Sequence, residues 1–77
     1  MELHGFVSRF AGQFEETDEG EFVADTRFHE LQEWDSMIAL SLIAMIDDEY
    51  GVIIGGNDIL QSVTVEDLFN IVKDRKG

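Results

Sequence analysis

The chain has 77 residues, enough for one small domain, and we expect residues 1–77 to form that domain as a monomer. Seventeen Asp and Glu against five Lys and Arg give a formal net charge of −12, which disfavours nucleic-acid binding and favours partners with basic patches. A hydrophobic content of 44% argues against an acidic disordered tail, and no cysteine is present to form a disulfide. The sequence shows neither a leader peptide nor an apolar run of membrane-spanning length, so we expect a cytoplasmic protein.

Apolar side chains recur at helical spacing at the start of the chain: Leu3, Phe6, Val7, Phe10 and Phe14. This spacing predicts an amphipathic helix over residues 3–15, with the aromatic stripe packed in the core. Gly5 and Gly12 weaken the helix and leave its boundaries open.

A long acidic connection follows over residues 15–33. Connections of this length are uncommon in compact domains unless they are packed or functional. Its apolar residues predict that it lies back on the helices: Phe22, Val23, Phe28, Leu31 and Trp34. The ligand spacing of a calcium loop is absent, and His4 and His29 lack further ligands at metal-binding spacing, so no metal site is predicted.

The next segment predicts a helix that begins after Asp35, a good N-cap, and ends before Gly51, a good C-cap. Between Met37 and Ile46 only Ser41 is not apolar, which is too apolar for a helix with one buried face. At about 100° per residue the core face holds Ala39, Leu42, Ile43, Ile46 and Tyr50. A second stripe holds Met37, Leu40 and Ala44, with Ser41, Asp47 and Asp48 beside it. We expect this stripe either to be covered by the long loop or to be exposed for a partner.

The remaining chain predicts a buried linker over residues 52–54, a Gly55-Gly56 turn, and a short helix capped by Asn57 or Asp58 and ending near Gln61. A last helix begins after Thr64, with Asp67 placed for a capping box. The predicted fold is all-α: a small bundle of three main helices plus one short helix, with a long loop after the first.

Ser36 occupies the first position of the central helix. Free backbone N–H groups and the helix dipole favour an attached or bound anion there, such as a phosphate. Serine is also common in a first turn for purely structural reasons, and the residues alone leave both interpretations open. No histidine is placed by the sequence to activate the hydroxyl as a nucleophile.

Asp35-Ser36-Met37 at the start of an apolar helix, followed by Asp47-Asp48-Glu49 and Tyr50, resembles the Asp-Ser-Leu segment of acyl carrier proteins. The chain length and the order of helices and long loop fit the same family. The resemblance implies that Ser36 bears 4′-phosphopantetheine, transferred from coenzyme A by a phosphopantetheinyl transferase, and that Asp35 assists this modification. It further implies a carrier, not an enzyme, whose arm holds acyl intermediates as thioesters during fatty-acid, polyketide or related biosynthesis.

By the same resemblance, the partners are acyl-loading, synthase and acyl-transfer enzymes with basic or apolar docking patches. The residues expected to contact them are Met37, Ile38, Leu40, Ser41, Ala44, Asp47 and Asp48. Ile38 and Ser41 depart from the family, which usually carries acidic residues near the start of this helix. Trp34 also departs, because many members have a small residue there, and we expect its ring to anchor the loop.

An alternative of another class is an unmodified acidic adaptor that binds partners through the apolar stripe of the central helix. A nucleic-acid mimic is a third interpretation. It calls for regularly spaced surface carboxylates, whereas here they crowd into one loop.

Overall fold

The computed structural model describes residues 1–77 and contains four α-helices and no strand. These are α1 (Leu3–Ala11), α2 (Ser36–Tyr50), α3 (Gly56–Gln61) and α4 (Val65–Lys76), with two short 3₁₀ turns in the long connection between α1 and α2. The predicted all-α bundle of three main helices, one short helix and a long loop is confirmed. None of the helices has the length and hydrophobicity needed to span a bilayer.

Helix α1 ends at Ala11, so the prediction of a helix to residue 15 is wrong. After Ala11 the chain tightens: the N–H of Gln13 donates to Phe10 O over 3.1 Å, and the N–H of Phe14 donates to Ala11 O over 3.0 Å. Such i to i−3 bonds are typical where a helix ends. The bend keeps the Phe14 ring in the core, 4.8 Å between centroids from the ring of Phe22 in the loop.

The core is built around phenylalanine, and all six phenylalanines of the chain are buried. Phe6 of α1 meets Phe69 of α4 edge to face at 5.5 Å. Phe10 meets Phe28 of the loop in the same geometry at 5.2 Å. Aromatic pairs at these distances add to the free energy gained by burial alone. The aromatic stripe of α1 therefore holds both α4 and the long loop.

The loop packs on the helices as predicted, because Phe22 and Phe28 are buried and Leu31 and Trp34 are partly buried. Val23 is the exception: its side chain is 57% exposed, so its predicted packing is wrong. The loop also binds the start of α4, where the N–H of Val65 donates to Thr26 O over 3.1 Å.

The first turn of α4 has all three of its free N–H groups satisfied. Val65 and Glu66 donate to loop carbonyls, and the N–H of Asp67 donates to Thr64 Oγ1 over 3.2 Å. The Asp67 carboxylate accepts from the N–H of Thr64 over 3.0 Å, which completes the predicted capping box. This helix start is fully occupied by protein groups.

Helix α3 begins earlier than predicted, with Gly55 as its N-cap in place of Asn57 or Asp58. Asp58 instead lies in the first turn, where its Oδ2 accepts from the N–H of Gly55 over 2.9 Å. The same carboxylate pairs with Arg75 of α4 through two bonds of 2.7 Å. In the linker before α3, Val52 and Ile54 are buried as predicted, whereas Ile53 is exposed.

Candidate functional site

Helix α2 has the two caps predicted from the sequence. Asp35 Oδ1 accepts from the N–H of Ile38 over 2.9 Å. At the other end, Gly51 adopts a left-handed conformation with φ of 67°, and its N–H donates to Asp47 O over 2.9 Å. Glycine adopts this conformation without steric cost, so the helix stops where the sequence places its only C-cap glycine.

Ser36 is exposed at the first position of α2. Its hydroxyl makes no hydrogen bond within the chain, and neither do the backbone N–H groups of Ser36 and Met37. The corresponding N–H groups of α4 are both bonded to the loop. Two free donors at the positive end of a fifteen-residue helix favour a phosphate group beside the Ser36 oxygen.

The segment that leads to Ser36 is held by aromatic packing. The ring of Trp34 lies 4.9 Å from that of Phe28 and 5.1 Å from that of His29. His29 Nε2 lies 2.9 Å from Ile59 O, so this part of the loop also contacts α3. The expected role of Trp34 as an anchor of the loop is confirmed.

One face of α2 is left uncovered by the rest of the domain. We call it the exposed α2 face; it consists of Met37, Leu40, Ser41, Ala44, Asp47 and Asp48, all of which are at least partly exposed. Met37 and Leu40 are 71% and 65% exposed, although both side chains are apolar. Of the two outcomes expected for this stripe, coverage by the loop does not occur.

Ile38 does not belong to the exposed α2 face, and its assignment as a partner-contacting residue is corrected. Its side chain is only 8% exposed, because it lies about 100° around the helix from Met37, on the side of Leu42 and Met45. Met45 is buried as well, so the core covers a wider arc of α2 than the predicted face.

The second half of the exposed α2 face borders a shallow groove. It is lined by Gln13 of the turn after α1 and by five residues of α2: Ser41, Ala44, Met45, Asp47 and Asp48. The structure thus brings four of the predicted contact residues to one groove, with two carboxylates and one methyl group among them.

One residue beside the site, Glu33, is not predicted from the sequence. Its carboxylate accepts four hydrogen bonds from residues 15–17, although it lies in a run that has the composition of a solvated acidic loop. The only signal in the sequence is its place two residues before the helix cap, at the end of an unusually long connection.

A small helical bundle that leaves a serine hydroxyl free at the start of an apolar helix has the architecture of a carrier domain. The family model described as "Phosphopantetheine attachment site" matches residues 6–72, and the chain therefore belongs to this family. No curated protein and no solved structure matches the chain significantly.

Membership of the family makes the chain a phosphopantetheine-carrying carrier protein and not a catalyst. The cofactor of the family is covalently attached 4′-phosphopantetheine. Carrier domains work with a phosphopantetheinyl transferase and with synthase partner enzymes. The start of α2 fits such a group, because an exposed hydroxyl and two free N–H donors meet there.

Proposed function

We propose that Ser36 is the attachment point of 4′-phosphopantetheine and that residues 1–77 act as a single carrier domain in fatty-acid, polyketide or related biosynthesis. The observation that carries the proposal is the exposed, unbonded Ser36 hydroxyl at the positive end of α2, within the range matched by the family. A cytoplasmic location is part of the proposal.

The residues around Ser36 have distinct roles in this proposal. Ser36 presents its oxygen to the transferase, and the free N–H groups of Ser36 and Met37 favour the phosphate that becomes attached. Asp35 Oδ1 accepts from the N–H of Ile38, which leaves Oδ2 free. In the complex with the transferase, Oδ2 would help to hold the magnesium ion that the transferase brings and, through it, the diphosphate of coenzyme A.

The attached group supplies the thiol on which acyl intermediates are held as thioesters. The chain itself has no cysteine, so no side chain of its own competes for that role. The protein contributes attachment, orientation and a surface for the enzymes that load, alter and unload the acyl group.

The exposed α2 face supports the docking of those acyl-loading, synthase and acyl-transfer enzymes. Met37, Leu40 and Ala44 offer apolar contact, and Asp47 and Asp48 add negative charge toward the end of the helix. A complementary partner has an apolar patch with basic residues on the side that meets the end of α2.

The test is incubation with coenzyme A, magnesium and a broad-specificity phosphopantetheinyl transferase, followed by intact mass measurement. We expect one mass increase equal to phosphopantetheine in the wild-type chain and none in Ser36→Ala. Ser8→Ala is the matched control, because Ser8 is an exposed serine that lies on α1 and not on the exposed α2 face. A folded wild-type chain that gains no mass contradicts the proposal and favours the unmodified adaptor.

A further inference from the structure

The carboxylate of Glu33 joins the two ends of the long loop, since Glu33 lies at its end and accepts hydrogen bonds from residues 15–17 at its start. Oε2 accepts from the N–H of Glu15 over 2.8 Å, and Oε1 accepts from the N–H of Glu16 over 3.0 Å. Oε1 also accepts from the N–H and the Oγ1 of Thr17, both over 2.8 Å. We call this arrangement the Glu33 clamp. Hydrogen bonds to an ionised carboxylate are about twice as strong as those between neutral groups.

The Glu33 clamp holds its charge without a basic partner. Glu33 forms no salt bridge. Three further acidic residues lie near it: Glu16 and Glu21 line a surface depression together with Glu33, and Glu15 directly precedes Glu16. Repulsion among these carboxylates tends to separate the two ends of the loop. The backbone N–H groups of residues 15–17 oppose this tendency because all three point to one carboxylate.

The clamp lies three residues before Ser36, and each intervening residue is fixed. Trp34 is held by its ring contact with Phe28, and Asp35 is held by its bond to the N–H of Ile38. On its other side, the clamp continues directly into the turn that ends α1. Glu33 therefore connects the start of α2 to the end of α1 through one side chain.

We propose that Glu33 is a positioning residue for the modification of Ser36. By joining the two ends of the long loop, it holds the start of α2 in one arrangement. The Ser36 oxygen is then presented to the transferase in a constant geometry. Errors of about 1 Å in the placement of a reacting group can slow a reaction by roughly a hundredfold. This inference rests on the proposed attachment at Ser36.

The test compares transferase kinetics on the wild type, Glu33→Gln and Glu33→Ala, with rates corrected for the folded fraction from circular dichroism. We expect kcat to fall roughly tenfold in Glu33→Ala and less in Glu33→Gln, which keeps one acceptor oxygen. KM stays within about twofold, because the exposed α2 face is unchanged. If Glu33→Ala does not fold, Glu33→Gln alone decides the outcome.

Thr64→Ala is the matched control, because it removes a cap from α4 on another part of the fold. It is expected to lower the melting temperature and to leave kcat unchanged. The amide proton resonances of Glu15 and Thr17 provide a readout apart from activity, and we expect them to shift upfield when the clamp is removed. An unchanged kcat in both Glu33 variants, or an equal fall in Thr64→Ala, overturns this inference while modification of the wild type still stands. Failure of the wild type to be modified overturns the attachment at Ser36 and this inference together.

Discussion

The indole ring of Trp34 meets the ring of Phe28 edge to face, with their centroids 4.9 Å apart. Trp34 directly precedes the cap of α2, and Phe28 is fully buried in the middle of the loop. The contact therefore joins the segment that carries Ser36 to the aromatic core. A residue that looks like a departure from the family acts here as a structural anchor.

Trp34→Ala is expected to destabilise the fold by about 2 kcal/mol, less than a fully buried aromatic, because the ring is only partly buried. Trp34→Phe keeps the contact with Phe28 and is expected to lose less stability than Trp34→Ala. Denaturant unfolding followed by circular dichroism measures both. Val23→Ala is the control, since Val23 belongs to the same loop but is 57% exposed. Equal destabilisation by Trp34→Ala and Val23→Ala contradicts the anchoring role.

The caps of the helices could be predicted because they depend on residues a few positions apart. Asp35, Gly51 and Thr64 each act on a backbone group within four residues. The Glu33 clamp could not be predicted in this way, since its partners lie 16 to 18 positions earlier in the chain. Only the folded path of the loop brings them together.

The burial of Ile38 could not be predicted from the sequence for a different reason. Helical periodicity distinguishes a buried face from an exposed one only when polar residues mark the exposed face. Around α2 nearly every position from Met37 to Ile46 is apolar, so polar residues do not mark the side on which Ile38 lies, and it falls in neither the predicted core face nor the second stripe. In the structure Ile38 is 8% exposed, whereas Leu40 of the second stripe is 65% exposed.

Asp35 has two predicted roles that substitution can separate. Asp35→Ala removes the bond to the N–H of Ile38 and is expected to cost about 1 kcal/mol of stability. Asp35→Asn keeps a good N-cap, so its melting temperature stays near that of the wild type. Both variants lose the carboxylate, and we expect both to be modified more slowly by the transferase. If Asp35→Asn is modified at the wild-type rate, Asp35 acts only as the cap of α2 and does not assist the modification.

The exposed α2 face is expected to bind partners mainly through apolar contact near its start. Met37→Ala and Leu40→Ala together are expected to weaken transferase binding by about 2 kcal/mol, roughly thirtyfold. Asp47→Asn and Asp48→Asn are expected chiefly to reduce the dependence of binding on salt. Titration calorimetry across salt concentrations measures both effects.

Ile53→Ala is the control for this surface, because Ile53 is 78% exposed but lies in the linker before α3. It is expected to leave binding unchanged. A steep salt dependence together with normal affinity in Met37→Ala and Leu40→Ala argues for a charge-dominated interface and against this prediction.

The Glu33 clamp also predicts how stability depends on pH. Burial raises the pKa of the Glu33 carboxyl, but the backbone N–H groups of residues 15–17 and the Thr17 hydroxyl together lower it by more, so the pKa lies below the ordinary 4.5. In the unfolded chain the carboxyl has its ordinary pKa and takes up a proton first as the pH falls. The stabilisation is therefore complete above pH 4.5 and is lost as the pH falls through the folded value.

The free energy of unfolding of the wild type minus that of Glu33→Gln isolates this contribution, because the amide of the variant does not titrate. We expect the difference to be constant at neutral pH and to shrink below pH 4.5. Asp58, whose pKa is lowered by its bond to Arg75, and Asp67, whose pKa is lowered by the N–H of Thr64, titrate in both chains and cancel. As the pH falls, protonation of other carboxylates also weakens the repulsion that comes with a net charge of −12. This effect on stability is nearly the same in the wild type and in Glu33→Gln. A difference that stays constant through this range, or that grows as the pH falls, means that Glu33 is not held as an ionised carboxylate in the folded chain.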